Sequence, residues 1–97
     1  MLWMENLRLR VSSNAQSEVL RLIETFKKEM KKSTHLLIWH IYRHAEISGD
    51  FSILLHWDTA EVNTEGSTLA YSLIKVLSPL GMVDHSIWIA QTGSSKE

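Results

Sequence analysis

The stretch HLLIWHIYRHAEISGDFSILLHW, residues 35–57, decides the fold of this chain. It holds four of the five histidines and two of the four tryptophans. Polar and apolar residues alternate through it, with one break at Ser48-Gly49-Asp50. Alternation with a period of two is the mark of a half-buried strand, and a small polar break is a turn signal. The stretch therefore predicts two antiparallel strands, 35–47 and 51–58, joined by residues 48–50.

The period of two sorts their side chains into faces. One set is Leu37, Trp39, Ile41, Arg43, Ala45 and Ile47, continued by Phe51, Ile53, Leu55 and Trp57. The other is Ile38, His40, Tyr42, His44 and Glu46, continued by Ser52, Leu54, His56 and Asp58. A slip of one residue would mix the sets. A three-residue loop pairs Ile47 with Phe51, Arg43 with Leu55 and Ile41 with Trp57, which keeps the apolar residues together. A two-residue loop would set them against histidines. The three-residue loop is the expected one. It places Tyr42 opposite His56 and His40 opposite Asp58. His40 and His44, four residues apart on one strand, are separated by about 13 Å and cannot share a metal. His40, His56 and Asp58 lack a diagnostic metal-ligand spacing, so no metal site is expected.

Outward from the hairpin, residues 2–11 read as a first strand, with Trp3, Leu7, Leu9 and Val11 on one side and Leu2, Met4, Asn6, Arg8 and Arg10 on the other. Ser13 followed by Gln16 is a capping-box pattern, and Val19, Ile23, Phe26 and Met30 recur at helical spacing over residues 14–32. Lysines crowd the end of that helix, where cations suit the helix dipole; the run Lys27-Lys28-Glu29-Met30-Lys31-Lys32 reads as a solvated helix end. A second helix is expected over 67–78, capped by Ser67 and stopped by Pro79 and Gly81. A last strand follows at 82–90. The order β-α-β-β-α-β with right-handed crossovers gives a ferredoxin-like α+β fold: a four-stranded antiparallel sheet in the order 4-1-3-2 with both helices on one face.

Such a sheet leaves its other face open. Leu2, Met4, Ile38, Tyr42 and Leu54 would form a half-apolar patch there, and large exposed patches mark partners. A second copy related by a two-fold axis is the economical partner, so a homodimer is expected. The 97 residues carry 10 basic and 11 acidic side chains, a balance that argues against nucleic-acid or membrane binding by bulk charge. With no cysteine, disulfides and thiolate chemistry are excluded. No apolar run reaches the roughly 20 residues of a membrane span, and MLWMENLRLRV lacks the layout of a secretory signal. A cytoplasmic location is expected.

The piece Leu54-Leu55-His56-Trp57-Asp58-Thr59-Ala60-Glu61 is a strand that ends in tryptophan before an acidic turn, followed by a helix opened at Ser67. With the element order and the final Gly81-Met82-Val83-Asp84-His85-Ser86-Ile87-Trp88, it resembles the antibiotic-biosynthesis-monooxygenase-like proteins of the dimeric α+β barrel superfamily. The resemblance covers about residues 2–90. It implies a single barrel-forming domain over 1–91 followed by a small polar tail, 92–97, read as disordered. It also implies a dimer, and an activity among those of the superfamily: oxygenation of polycyclic phenols or quinols without cofactor, haem degradation, or small-molecule rearrangement. The haem-degrading branch carries an asparagine on its first strand, which Asn6 could match. It also carries a tryptophan and a histidine on its second helix, and STLAYSLIKVLS has neither, which argues against haem degradation.

No nucleophile motif, phosphate loop or paired-carboxylate pattern is present. The expected function is that of a cofactor-free monooxygenase acting on an apolar or aromatic small molecule; the alternative is a non-catalytic homodimeric ligand-binding or accessory module. A cofactor-free oxygenase needs a dry cavity and one base or hydrogen-bond donor. His56, His40, Tyr42 and Asn6 are the candidates for that role. Trp57, Trp39, Arg43 and Tyr71 are candidates for lining the ligand site, beside plainer roles in the core or, for Arg43, at the sheet edge. Catalysis predicts a closed pocket reaching one of these polar groups; a binding module predicts a filled core or an open groove.

Overall fold

A computed structural model of the chain describes residues 1–93. From Ser94 onward, the expected tail lies outside the described residues. The first strand, β1, runs Leu2–Val11. Two helical segments follow, α1 at Gln16–Thr25 and α2 at Lys27–Lys32. Strands β2 (Leu36–Arg43) and β3 (Asp50–Asp58) form the hairpin. Helix α3 spans Thr68–Leu77 and leads into β4, Gly81–Ile89. The sheet order is β2-β3-β1-β4, every pairing antiparallel. This is the expected ferredoxin-like arrangement.

Alternation builds the core. Trp3, Leu7, Leu9 and Val11 of β1 and Phe51, Ile53, Leu55 and Trp57 of β3 are all buried. They meet Val19, Ile23 and Met30 from α1 and α2, and Leu69, Ala70, Leu73 and Leu77 from α3, in one cluster. Trp39 and Ile41 of β2 and Val83 and Ile87 of β4 close it at the two sheet edges. The opposite face exposes Leu2, Ile38, Tyr42, Met82 and Trp88. One acidic residue on that side is buried: Asp50, paired with Arg8 at 3.0 Å and Arg10 at 3.7 Å.

The hairpin keeps the expected faces but not the expected register. Arg43 pairs with Phe51 rather than Leu55, and Ile41 with Ile53 rather than Trp57. The strands have slipped by four residues, an even number, so the side chains that stay paired from Ile38 to Arg43 keep their faces. The cause is local. The Nδ1 atom of His44 accepts the backbone N–H groups of Glu46 at 3.0 Å and Ile47 at 2.9 Å, which curls the chain out of the strand. Residues 44–49 are therefore loop, closed by Gly49 at φ +89° and by the His44 N–H bonded to the Asp50 carbonyl at 2.7 Å. Ala45 and Ile47 are exposed rather than inward. The pairs expected across the polar face do not form either: Tyr42 lies opposite Ser52, His40 opposite Leu54, and Ile38 opposite His56. A bulge between Leu36 and Ile38 also turns Leu37 out, and Leu36 takes its inward place.

Two further corrections concern the first helical region. It breaks at Phe26, whose φ and ψ of −90° and −4° separate α1 from α2. The expected Ser13/Gln16 capping box is not made: Ser12 precedes the first helical turn without a side-chain cap, and its hydroxyl bonds Asn14 instead.

The two registers differ in what they ask of Ile47. In the observed one, Ile47→Ala changes stability by no more than about 0.5 kcal/mol, while Ile53→Ala, at a fully buried site, costs about 3 kcal/mol. Urea unfolding of both variants measures the difference directly.

Candidate functional site

Glu5 occupies an inward position of β1, between Trp3 and Leu7, and is 0% exposed. A carboxylate so placed must find donors within the protein, and four converge on it. Oε1 accepts the Ser67 backbone N–H at 2.8 Å and lies 2.9 Å from His85 Nε2. Oε2 accepts the Trp57 indole N–H at 2.8 Å and the Ser67 hydroxyl at 2.5 Å. The Ser67 oxygen itself accepts the Ala70 N–H as the N-cap of α3, so its proton is committed to Glu5. The indole and backbone groups can only donate. Glu5 therefore serves as an acceptor at both oxygens, and His85 joins the donors in the tautomer that carries its proton on Nε2.

Each partner is delivered by its own element. Trp57 and His85 sit on the strands flanking β1, one residue-pair away diagonally from Glu5. Ser67 closes loop 59–66. Gly66, at φ +98°, makes the approach possible: a Cβ there would stand 2.3 Å from His85 Cε1 and 3.0 Å from Glu5 Oε1. Tyr71 packs edge-on against His85, with centroids 5.8 Å apart, and its hydroxyl donates to the Glu65 carbonyl. His85 is partly reachable, with 15% of its side chain exposed, and Ser67 is half-buried. Among the described residues, no lysine or arginine pairs with Glu5.

Beside the cluster, the indoles of Trp3 and Trp57 stack at 5.8 Å and 19°. Their polar ends are pinned, Trp57 to Glu5 and Trp3 to the Thr59 hydroxyl at 2.8 Å. Both indoles, with Ser67, Thr59, His35 and Asn63, line a groove of about 400 Å³ that opens between the end of α2 and loop 59–66. That volume suits a small ligand. The space between sheet and helices, where a closed cavity is expected for catalysis, is filled: Leu7, Ile53, Leu55 and Leu73 are all 0% exposed.

The residues singled out from sequence divide between the two faces. Trp57 is buried in the groove wall, and Trp39 is half-buried at the β2 edge of the core. Tyr71 is largely exposed apart from its contact with His85, and Arg43 is exposed at the end of β2. His56, His40, Tyr42 and Asn6 all lie on the open face. His40 and Tyr42 neighbour each other there, with rings 5.6 Å apart. His56 joins Leu2, Met4, Ile38 and Trp88 around a second, more apolar groove of about 400 Å³. Asn6 buries its Oδ1 with no hydrogen-bond partner among the described residues. Glu5, Ser67 and His85, which make a convergent polar cluster on the helix side, were not among the candidates. The available signal was a polar residue in the inward set of each of two strands, Glu5 between Trp3 and Leu7 and His85 between Val83 and Ile87.

No protein-family model matches the chain, and no curated protein matches it in sequence. Solved structures do match in fold. Rv0793 from Mycobacterium tuberculosis superposes with a TM-score of 0.75 at 13% identity, over 98% of this chain and 100% of its own. A Deinococcus radiodurans protein named with the antibiotic biosynthesis monooxygenases gives a TM-score of 0.75 at 15% identity, over 100% of this chain and 99% of its own. SnoaB from Streptomyces nogalater, a cofactor-independent oxygenase, gives 0.69 at 10% identity, over 98% of each chain. The fold is thus that of the antibiotic-biosynthesis-monooxygenase-like proteins.

Because Gly66 both adopts a left-handed conformation and touches the cluster, Gly66→Ala costs at least about 1–2 kcal/mol. Trp57→Phe, which keeps an aromatic ring but leaves Glu5 one donor short, costs at least about 1–2 kcal/mol. Denaturant midpoints report both, and in the Gly66 variant the His85 ring resonances shift as well.

Proposed function

We propose that the chain is a small-molecule enzyme of the cofactor-free monooxygenase kind, and that its substrate is a phenolic or quinol-type aromatic bound in the groove beside Trp3 and Trp57. The observation that carries this reading is the stacked, hydrogen-bonded indole pair standing against a fully buried carboxylate. The edges of the two indoles that line the groove can meet a flat aromatic guest edge-to-face. The likeness in fold to SnoaB supports the reaction class. In such a reaction, loss of a proton makes the ring electron-rich enough to react with dioxygen directly. The ring C–H para to the ionised oxygen then becomes a carbonyl, giving a quinone, with one oxygen atom of dioxygen entering the product and the other leaving as water with the two hydrogens lost from the substrate.

A second reading, a non-catalytic binding module, is favoured by the filled space under the sheet and the openness of the groove. The two readings part on turnover. We also propose that the open face, with Leu2, Ile38, Tyr42, Met82 and Trp88 exposed, is covered by a second copy of the chain. A cytoplasmic location fits both readings. Among the described residues, no helix is long and apolar enough to cross a membrane.

Titration with a hydroxylated polycyclic aromatic quenches indole emission in the wild type and much less in Trp3→Ala. An oxygen electrode then shows uptake of one dioxygen per substrate without added metal or flavin; quenching with no uptake would favour the binding module. Sedimentation finds a dimer at micromolar concentration, and Trp88→Glu shifts it toward monomer.

A further inference from the structure

Ser67 is the residue that the groove and the buried cluster share. It lines the groove, while its hydroxyl donates to Glu5 Oε2 at 2.5 Å. Its oxygen accepts the Ala70 N–H at 3.1 Å and keeps one further acceptor position. We infer that Ser67 and Glu5 form a proton relay that ionises a phenolic hydroxyl in the groove. This inference rests on the aromatic-binding reading of the groove.

The step is a paired transfer. The O–H bond of the bound phenol breaks as its proton passes to Ser67 Oγ. The O–H bond of Ser67 breaks as its own proton passes to Glu5 Oε2. The phenol becomes a phenolate, the serine is unchanged, and the carboxylate becomes a carboxylic acid; no redox partner is involved. Ser67 touches the substrate and is the catalytic residue. Glu5, which is wholly enclosed, acts through it. The other three contacts fix where the carboxylate stands: Trp57 on Oε2, and the Ser67 N–H and His85 on Oε1. The hydroxyl hydrogen of Ser67 points to Glu5 Oε2, 2.5 Å away, while its oxygen accepts the Ala70 N–H.

The relay is tested with p-nitrophenol, whose phenolate is yellow and whose neutral form is not. Indole quenching, corrected for absorption by the probe, counts the bound molecules; the yellow band counts those ionised. At a pH where free p-nitrophenol is mostly neutral, the probe bound to wild type carries a larger phenolate fraction than free probe. Ser67→Ala and Glu5→Gln bind it in the neutral form, and Ser67→Thr, which retains hydroxyl and cap, restores the phenolate. The ionised fraction among bound molecules does not depend on how many bind, so a purely structural role for Ser67 would leave it unmoved. With an oxidisable quinol, Ser67→Ala lowers the rate of oxygen uptake by roughly 10²-fold, the scale of a general base. Should Glu5→Gln not fold, the Ser67 pair decides alone. Quenching by a probe that stays neutral on wild type, or a phenolate signal that survives in Ser67→Ala, overturns the relay and leaves the groove reading standing. No quenching in wild type overturns the groove reading and the relay with it.

Discussion

A carboxylate with no solvent contact has to be satisfied by the protein, and in this chain that requirement falls on Glu5. Removing such a group from water is costly unless its lone pairs are met. Meeting them recruits Trp57 from β3, His85 from β4 and Ser67 from the start of α3. Three elements that pack on β1 by apolar contact alone could shift against it. Bonded to one carboxylate, they hold a single arrangement. The contrast with Asp50 is instructive. That residue is also buried, but Arg8 and Arg10 neutralise it at the surface. Glu5 is met by dipolar donors and a histidine, so its satisfaction depends on geometry more than on charge.

Much of the fold is legible in the sequence because it depends on parity. The alternation assigns faces correctly over 38–43 and 51–57 even though the register is wrong, since a slip of four preserves parity; it fails at Leu37, Ala45 and Ile47. Ser67 as a cap and Pro79 with Gly81 as a stop are local signals and hold. What failed depends on particular side chains. The acceptance of two backbone N–H groups by His44 ends β2 early, and nothing in the period of two announces it. The outward turn of Leu37 needs a bulge that only pairing with β3 reveals.

The candidate site was less legible, and for a physical reason. Histidines and a tyrosine on an alternating strand draw the eye, but their parity places them on the open face, beside exposed apolar residues. The helix-side cluster comes from residues 5, 57, 67 and 85, which no local pattern links. Their meeting is a product of strand order: β1 lies between β3 and β4, so an inward carboxylate on β1 faces both neighbours. The fold shared with SnoaB and its relatives supplies the frame, at identities too low to assign residue roles by position.

Loop 59–66 is polar, irregular and on the surface, the profile that endoproteases favour. Its sequence TAEVNTEG invites cutting after either glutamate. Yet Thr59 is held by Trp3, Asn63 accepts the N–H groups of Glu65 and Gly66, the Glu65 carbonyl is bonded by Tyr71, and Ser67 is fixed to Glu5. A protease must draw several residues into its cleft as an extended strand, which would tear most of these bonds at once. The segment that looks most fragile on paper is thereby guarded against nicking, and its digestion would track unfolding of the whole domain.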